Sequence, residues 1–561
     1  MKMPDVFKRL QLCRTDCLFL ILASILFAKL VFFAWSAYGM IYISSFVTNH
    51  AAFWGWYIPK IAAAIWLASI VYLIRDKRWW VIGPVILDIW IIANLLYLRS
   101  YDMPLDAYAV SMFGNMDGFW SSILPLFNWS DILYPLLTIA CFVIAHILNE
   151  KYRSWGKMIA FFAFATILNT GGKYLFMRSM YGHEWASEYT RFQCFTMQNR
   201  IDVYGNGNSR VLRETSPLHT FWYSAFDLIV IQADKGSYQL TETEKMAYAP
   251  LFSKDMTKSD MCLVMIIVES FDSWVLTEEY MPYLYTFINN HPCFYADKMK
   301  SQVRGGMSAD GQMIINTGLL PVTEGAACYR FPYNEFPGIM KSINGKSQCI
   351  LPHKKDVWNQ GQMSLSYGYT ETIELNEDDS VLFRAVVKAI REGYQGVQMI
   401  TLSTHTPYHS VCNRSHLELP ASYDEITQNY IRSFNYFDSQ LKNFLDVIDT
   451  DSILRQSTIM ITGDHAAPYP IKKAYCPFII YSPNISLSIK YTEECYQMDI
   501  YPTIMSVIGA TGEWHGGGLN LIDPSKNRLF TEEEMYEMSD KLIRANYFST
   551  PIEKRICPNC Q

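Results

Sequence analysis

Long apolar runs fill the first third of the chain, and short ones recur through the rest. Runs with few charges cover about residues 17–46, 53–74, 79–98, 123–148 and 155–169. Most approach the ~20 residues a helix needs to cross ~30 Å of hydrocarbon, so the pattern predicts five membrane spans. The fourth run is interrupted by Pro125 and the polar stretch 128–131, and the fifth is short. A basic flank precedes the first run, but no small-residue cleavage site follows a short apolar core. That combination reads as an uncleaved anchor.

Positive charge gathers on one side of this layout. Lys2, Lys8, Arg9 and Arg14 precede the first span, Arg75, Lys77 and Arg78 follow the second, and Lys151, Arg153 and Lys157 follow the fourth. Basic loops favour the cytoplasm, so five spans deliver everything after about Asn169 to the opposite face.

From residue 171 to 257 the periodicity is mixed, with a polar turn at YGNGNSR and a helical pattern in TETEKMAYAPLF. This predicts an amphipathic juxtamembrane connector, in which His183 and Glu184 are interfacial. Four short, continuous apolar runs follow: CLVMIIVES from Cys262, then residues 397–403, 457–462 and 477–482. Such runs mark strands buried on both faces. Between them lie segments of helical period, SVLFRAVVKAIRE and NYFDSQLKNFLDVI. The pattern predicts an α/β domain with a mostly parallel central sheet and ligands beyond the carboxyl ends of its strands. The expected division is a transmembrane domain 1–170, a connector 171–257, a catalytic domain 258–530 and a C-terminal tail 531–561.

Composition narrows the function. A net charge of -6 with no basic stripe excludes a nucleic-acid partner. Thirteen cysteines are too scattered for a small disulfide scaffold, and Cys557 and Cys560 form a CxxC without a second pair, read as a local disulfide or idle thiols. NEDDS at Asn376 is expected to be a solvated turn, and Gly516 to Gly518 lack the context of a nucleotide loop.

The strand ends carry the chemistry. Glu269 ends the first run, His405 follows the second in TLSTHTPYH, and Asp464 and His465 follow the third in ITGDHAAP. Singly, each has an ordinary structural role as a helix cap or a packed histidine. Together at one sheet edge they form a donor set for a divalent cation. RGGMSADGQ supplies Ser308 at the start of a predicted helix, where a hydroxyl caps the helix or attacks phosphate bound by its N–H groups. A metal lowers the pKa of bound water from 15.7 to about 7 in favourable sites, so it can activate a hydroxyl without a nearby base.

In order, VESFDSW from Val268, GGMSADGQMIINTGLLP from Gly305, VWNQ from Val357, TLSTHTPY from Thr401, ITGDHAAP from Ile461 and MDIYPTIMSVIG from Met498 resemble one family. It is that of the membrane-anchored phosphoglycerol transferases related to lipoteichoic acid synthase, in the alkaline phosphatase and sulfatase superfamily. The resemblance implies that Glu269, Ser308, Asp464 and His465 bind one divalent cation, most simply Mn²⁺ with Zn²⁺ or Mg²⁺ as alternatives. Ser308 replaces the family's usual Thr as nucleophile, His405 contacts the head group or the exchanging oxygens, and Trp358 lines the pocket. Where the synthases place an Arg two residues after that Trp, this chain has Gln360, which implies either that phosphate or glycerol contact falls to Arg304, His353 or Lys354 or that the substrate differs.

The implied protein is a multi-pass enzyme of the bacterial cytoplasmic (inner) membrane with an extracytoplasmic catalytic domain. It would carry phosphoglycerol from phosphatidylglycerol to an envelope glycan, a glycolipid or a polyglycerol phosphate chain. The alternatives are a phosphoethanolamine transferase, whose nucleophile normally sits in a Cys-Gly-Thr context absent here, and a non-catalytic binder of head groups or glycans. The C/S-x-P-x-R motif of a true sulfatase is missing.

Overall fold

A computed structural model describes residues 13–38, 50–101, 105, 126–188, 239–323, 325–468, 471, 475–523 and 527–550. They belong to two compact units, one made by the residues up to 188 and one by those from 239 on. YGNGNSR, Cys557 and Cys560 lie outside the described residues.

The N-terminal unit consists of helices α1 (Arg14–Tyr38), α2 (His50–Ser69), α3 (Ile82–Tyr101), α4 (Leu133–Ile147) and α5 (Trp155–Glu188). Leu18, Leu22, Leu26 and Leu30 recur every fourth residue of α1 and form the buried stripe of its core. Among the described residues, four helical segments are long and apolar enough to cross a membrane: Arg14–Ala37, Phe53–Tyr72, Lys77–Arg99 and Trp129–Ile147. The fifth expected span is part of a helix, but it does not meet that measure. Its apolar run stops near Asn169, short of the ~20 residues required, and the helix continues through Thr170, Gly171 and Gly172. A Cβ at Gly172 would meet Ile58 at 2.5 Å, so glycine there lets α5 lie tight against α2.

The C-terminal unit is built on one mixed sheet. Its strands are β1 (Leu263–Val268), β2 (Cys293–Lys300), β3 (Lys346–Leu351), β4 (Glu371–Glu374), β5 (Tyr394–Ile400), β6 (Thr458–Gly463), β7 (Tyr475–Tyr481), β8 (Ile489–Tyr491) and β9 (Cys495–Tyr496). They run in the order β4-β3-β5-β1-β6-β7-β2-β8, with β9 beside β2. Only β7 opposes its neighbours, β6 and β2. The loop 464–474 between β6 and β7 is too short for a helical crossover, so the chain returns antiparallel. The run 477–482 therefore forms a strand, but not a parallel one.

Five helices position the site: α6 (Ser308–Thr317), α7 (Asp379–Arg391), α8 (Glu425–Thr450), α9 (Ile500–Val507) and α10 (Glu532–Arg544). Val264, Ile266 and Val268 of β1 enter the same buried cluster as Phe383 and Val386 of α7 and Phe434, Phe437 and Leu441 of α8. The alternate residues Leu263, Met265 and Ile267 are also buried and face the other way, as strand alternation requires.

Two expectations change here. Residues 532–544, assigned to a tail, form α10, whose Met535, Met538, Leu542 and Ile543 are buried at helical spacing. NEDDS is only partly a solvated turn. Asp378 caps α7 through the Ser380 N–H, and Asp379 is fully buried. The described cysteines are all free thiols, so no disulfide forms among the described residues.

Candidate metal and nucleophile site

Parallel pairing sets two strand ends side by side. Val268 of β1 is in register with Gly463 of β6, so Glu269 and Asp464 leave the sheet at the same level. His465 follows directly. The β5 end lies on the other side of β1, where Thr401 Oγ1 accepts from the Glu269 N–H at 3.0 Å and Thr404 Oγ1 donates to the Glu269 carbonyl at 2.7 Å.

Ser308 reaches this edge from the first turn of α6. Its hydroxyl donates to Glu269 Oε2 at 3.1 Å and lies 3.3 Å from His465 Nε2. The Glu269, Asp464 and His465 donor atoms all lie within 4.8 Å of one another. All three residues are buried, whereas Ser308 is half-buried and can be approached from one side.

The local backbone is shaped for this approach. Met307, just before Ser308, has φ 39, and Ser270, just after Glu269, has φ 55, a region that disfavours side chains other than glycine. Ser270 repays the strain through three bonds. Its N–H donates to Asp464 Oδ1 at 2.9 Å, its hydroxyl to Glu269 Oε1 at 2.7 Å, and its carbonyl accepts from Tyr430 Oη at 3.0 Å. Before Ser308, the Arg304 and Gly306 N–H groups both donate to Asp310 Oδ2 at 2.9 Å, which closes the glycine turn. Burial pushes the Asp310 carboxyl up to about 7.

One atom in the cluster is unsatisfied. Asp464 Oδ1 accepts from the Ser270 and His465 N–H groups, but the fully buried Oδ2 has no hydrogen-bond partner. His465 Nδ1 sits 2.9 Å from the Ala466 carbonyl, and donating there leaves the Nε2 lone pair facing Glu269 and Asp464 at 3.6 and 3.5 Å. A buried carboxylate oxygen without a donor, an imidazole lone pair, a second carboxylate and a hydroxyl fit a divalent cation.

The electrostatics agree. Burial, and next the Glu269 charge, push Asp464 up to about 7. Burial also opposes ionisation of Glu269, yet His465 and His405 outweigh it and hold that carboxyl low. His465 is raised because Asp464 and Glu269 overcome its burial. The cluster is short of positive charge.

The other predicted residues form a looser ring. His405 is half-buried, its Nδ1 2.6 Å from the Thr406 carbonyl, and its charge is felt at Glu269. His353 is held low by burial and interacts electrostatically with both Glu269 and His405. Gln360 is buried and its Oε1 has no partner. Trp358, at φ 51, sets its ring 5.9 Å from Tyr329. Arg304 stacks over the Tyr536 ring of α10 at 3.7 Å, which ties it to that helix. Lys354 is exposed.

Three further residues position the site. Asp272 accepts from the Ala467 N–H at 2.9 Å and fixes the His465 loop, and its place in VESFD was a signal. Gln497 donates to the Asp464 carbonyl at 2.6 Å, and Asp379 accepts from the Leu402 N–H at 3.1 Å. No local pattern marks either. Gly516 to Gly518 serve close packing, since a Cβ at Gly518 would meet the Met498 carbonyl oxygen at 2.3 Å.

Comparison with known families places these features in context. Residues 3–189 match the lipoteichoic acid synthase N-terminal domain, and residues 328–510 match the sulfatase domain. The chain is thus similar in its N-terminal part to lipoteichoic acid synthases and in its C-terminal part to sulfatases. A lipoteichoic acid synthase of Staphylococcus saprophyticus is 21% identical over 498 residues, which cover 81% of this chain and 71% of that protein. Lipoteichoic acid synthase 2 of Bacillus subtilis is 20% identical over 412 residues, 66% of this chain and 60% of its own length, so the chain spans less than two thirds of that relative. Among solved structures, a lipoteichoic acid synthase from Listeria monocytogenes is similar with a TM-score of 0.44 and 15% identity, covering 56% of this chain and 96% of that one. The sulfatase match includes His405, Asp464 and His465 but begins after Glu269 and Ser308. Those two join the site by geometry.

Proposed function

We propose that this chain transfers phosphoglycerol from phosphatidylglycerol to an envelope acceptor through a covalent intermediate on Ser308, with one divalent cation. The orphaned, buried Oδ2 of Asp464 beside Glu269, His465 and the Ser308 hydroxyl carries the reading. The family matches support it, since lipoteichoic acid synthases and sulfatase-like domains are what the two units resemble.

The residues divide the work as follows. Glu269, Asp464, His465 and Ser308 would hold the cation, with Mn²⁺ favoured over Zn²⁺ or Mg²⁺ by the resemblance. A cation held there supplies positive charge that lowers the Ser308 pKa and offsets charge on the phosphoryl oxygens. With its proton released to solvent, Ser308 Oγ attacks phosphorus as an alkoxide, the form in which it later leaves, the bond to the diacylglycerol oxygen breaks, and His405 gives that oxygen a proton. In the second step an acceptor hydroxyl gives its proton to His405 and attacks the same phosphorus, and Ser308 leaves. Gln360, with its unpartnered Oε1, is suited to a glycerol hydroxyl where the synthases carry Arg. Trp358 and His353 line the same approach.

The N-terminal helices anchor the protein beside its lipid donor. We place the catalytic unit outside the cytoplasm, which requires α5 to cross. Its 34 residues give ~51 Å of helix, enough length despite its polar second half.

Head-group labelling tests the proposal. Membranes given phosphatidylglycerol labelled in its head-group glycerol should pass label to a glycan, glycolipid or polyglycerol phosphate product, and chelation of divalent metal should stop the transfer. Label entering only from phosphatidylethanolamine would select the ethanolamine alternative. A purified protein without divalent metal that transfers neither group would select the non-catalytic one.

A further inference from the structure

Apart from the reaction centre, the C-terminal unit contains a cavity of about 810 Å³ between β2, β8 and the helix Pro282–Asn290. Its walls are aromatic. Trp274, Tyr285, Tyr295 and Tyr475 line it, and β2, whose register against β7 is broken between Ala296 and Met299, brings both Tyr295 and Asp297 to it. Two polar atoms there are left over: Asp297 Oδ1 and Ser273 Oγ are buried and have no hydrogen-bond partner.

Flat rings beside an unsatisfied carboxylate and hydroxyl match the two surfaces of a sugar ring. The C–H faces of a pyranose stack on aromatic rings, and its hydroxyls donate to a carboxylate. An anion is a poor guest so close to Asp297. Lys298 and Lys490, which also line the cavity, are the cations available to a charged substituent. The size suits one or two rings, since ligand pockets run from ~300 to ~1,000 Å³.

The cavity adjoins the reaction centre along the chain. Ser273 is four residues after Glu269, and four residues span at most ~14 Å. Trp274 Nε1 donates to Asp272 Oδ2 at 3.0 Å, and Asp272 Oδ1 accepts from Ala467 N–H in the loop that carries His465. One carboxylate therefore joins the cavity wall to the site.

We propose that this cavity is a glycan subsite, which holds sugar rings of the acceptor while a hydroxyl is offered to the phosphorylated Ser308. The assignment rests on the transferase reading for its role, but sugar binding can be measured alone. The full chain in lipid nanodiscs, free of sugar detergents, is titrated with cellobiose and with N,N′-diacetylchitobiose under ligand-observed NMR. At least one should bind the wild type, with affinity falling about tenfold or more in Asp297→Ala and in Tyr285→Ala. Tyr285 is 38% exposed, so its truncation spares the core. Failure of both sugars to bind the wild type overturns the proposal, as does undiminished binding in both variants. Binding of glycerol 3-phosphate that these substitutions abolish, without sugar binding, also overturns it. The Ser308 adduct is read in parallel on the wild type. Its absence sinks the transferase reading while the sugar result still decides the subsite.

Discussion

Gly311 lies so close to Asp464 that a Cβ added to it would sit 2.1 Å from the Asp464 carbonyl oxygen. The first turn of α6 thus rests on the backbone of a ligand residue, and that contact holds Ser308 against the cluster. Gly311→Ala must push the helix and the β6 loop apart. We expect a destabilisation of about 1–3 kcal/mol, typical of overpacking, and a loss of transfer activity of about 10²-fold, because misplacement by ~1 Å is costly at a reaction centre. Near-normal activity with the same loss of stability would show that Ser308 tolerates the shift.

Asp379 predicts a pH dependence. Burial raises its carboxyl from 3.8 to about 6, while its Oδ1 accepts from the Leu402 N–H. A carboxyl raised in the folded state binds more protons there than in the unfolded chain. Its contribution is complete below about pH 4 and lost as pH rises through about 6. Asp379→Asn removes this dependence, so the variant should gain on the wild type by up to about 3 kcal/mol between pH 4 and pH 7. Thermal unfolding of the solubilised protein at both ends of that window measures it.

The membrane unit buries an ion pair. Lys29 Nζ lies 2.5 Å from Asp88 Oδ1, and both also bond to Thr138. Lys29→Met alone strands a buried carboxylate, with an expected loss of about 3–5 kcal/mol. Adding Asp88→Leu should recover most of it, and a double-mutant cycle on detergent unfolding reads the difference.

Helix α10 should be indispensable. Burying Met535, Met538, Leu542 and Ile543 contributes on the order of 6–12 kcal/mol at about 1.5–3 per side chain, comparable to the stability of a whole domain. A chain stopped before Thr531 should express poorly and be digested rapidly by trypsin. Wild-type resistance would mean that the unit folds without the helix.

The strand ends were legible because β1, β5 and β6 are continuous apolar runs, each followed by the polar residues that meet at the site. Ser308 was legible because a glycine turn precedes an apolar helix. What escaped is set by distant partners. The edge strand β4 and its neighbour β3 carry polar residues such as Glu371 and Gln348, which hides their period. The direction of β7 follows from loop length, and the buried Asp379 takes its backbone bond from Leu402, 23 residues away. The apolar period of α10 was present in the sequence but was overshadowed by its Glu-rich first turn. For α5, the apolar run to Asn169 was legible, but the glycines after it, of which Gly172 allows close packing with α2, masked the helix beyond it.

The central claim is that Ser308 carries the transferred group. Protein incubated with phosphatidylglycerol and a divalent cation, quenched and digested, should yield a peptide containing Ser308 heavier by the mass of phosphoglycerol, absent from Ser308→Ala and from chelated samples. An unmodified Ser308 peptide during active transfer, or transfer at the wild-type rate by Ser308→Ala, would contradict the account.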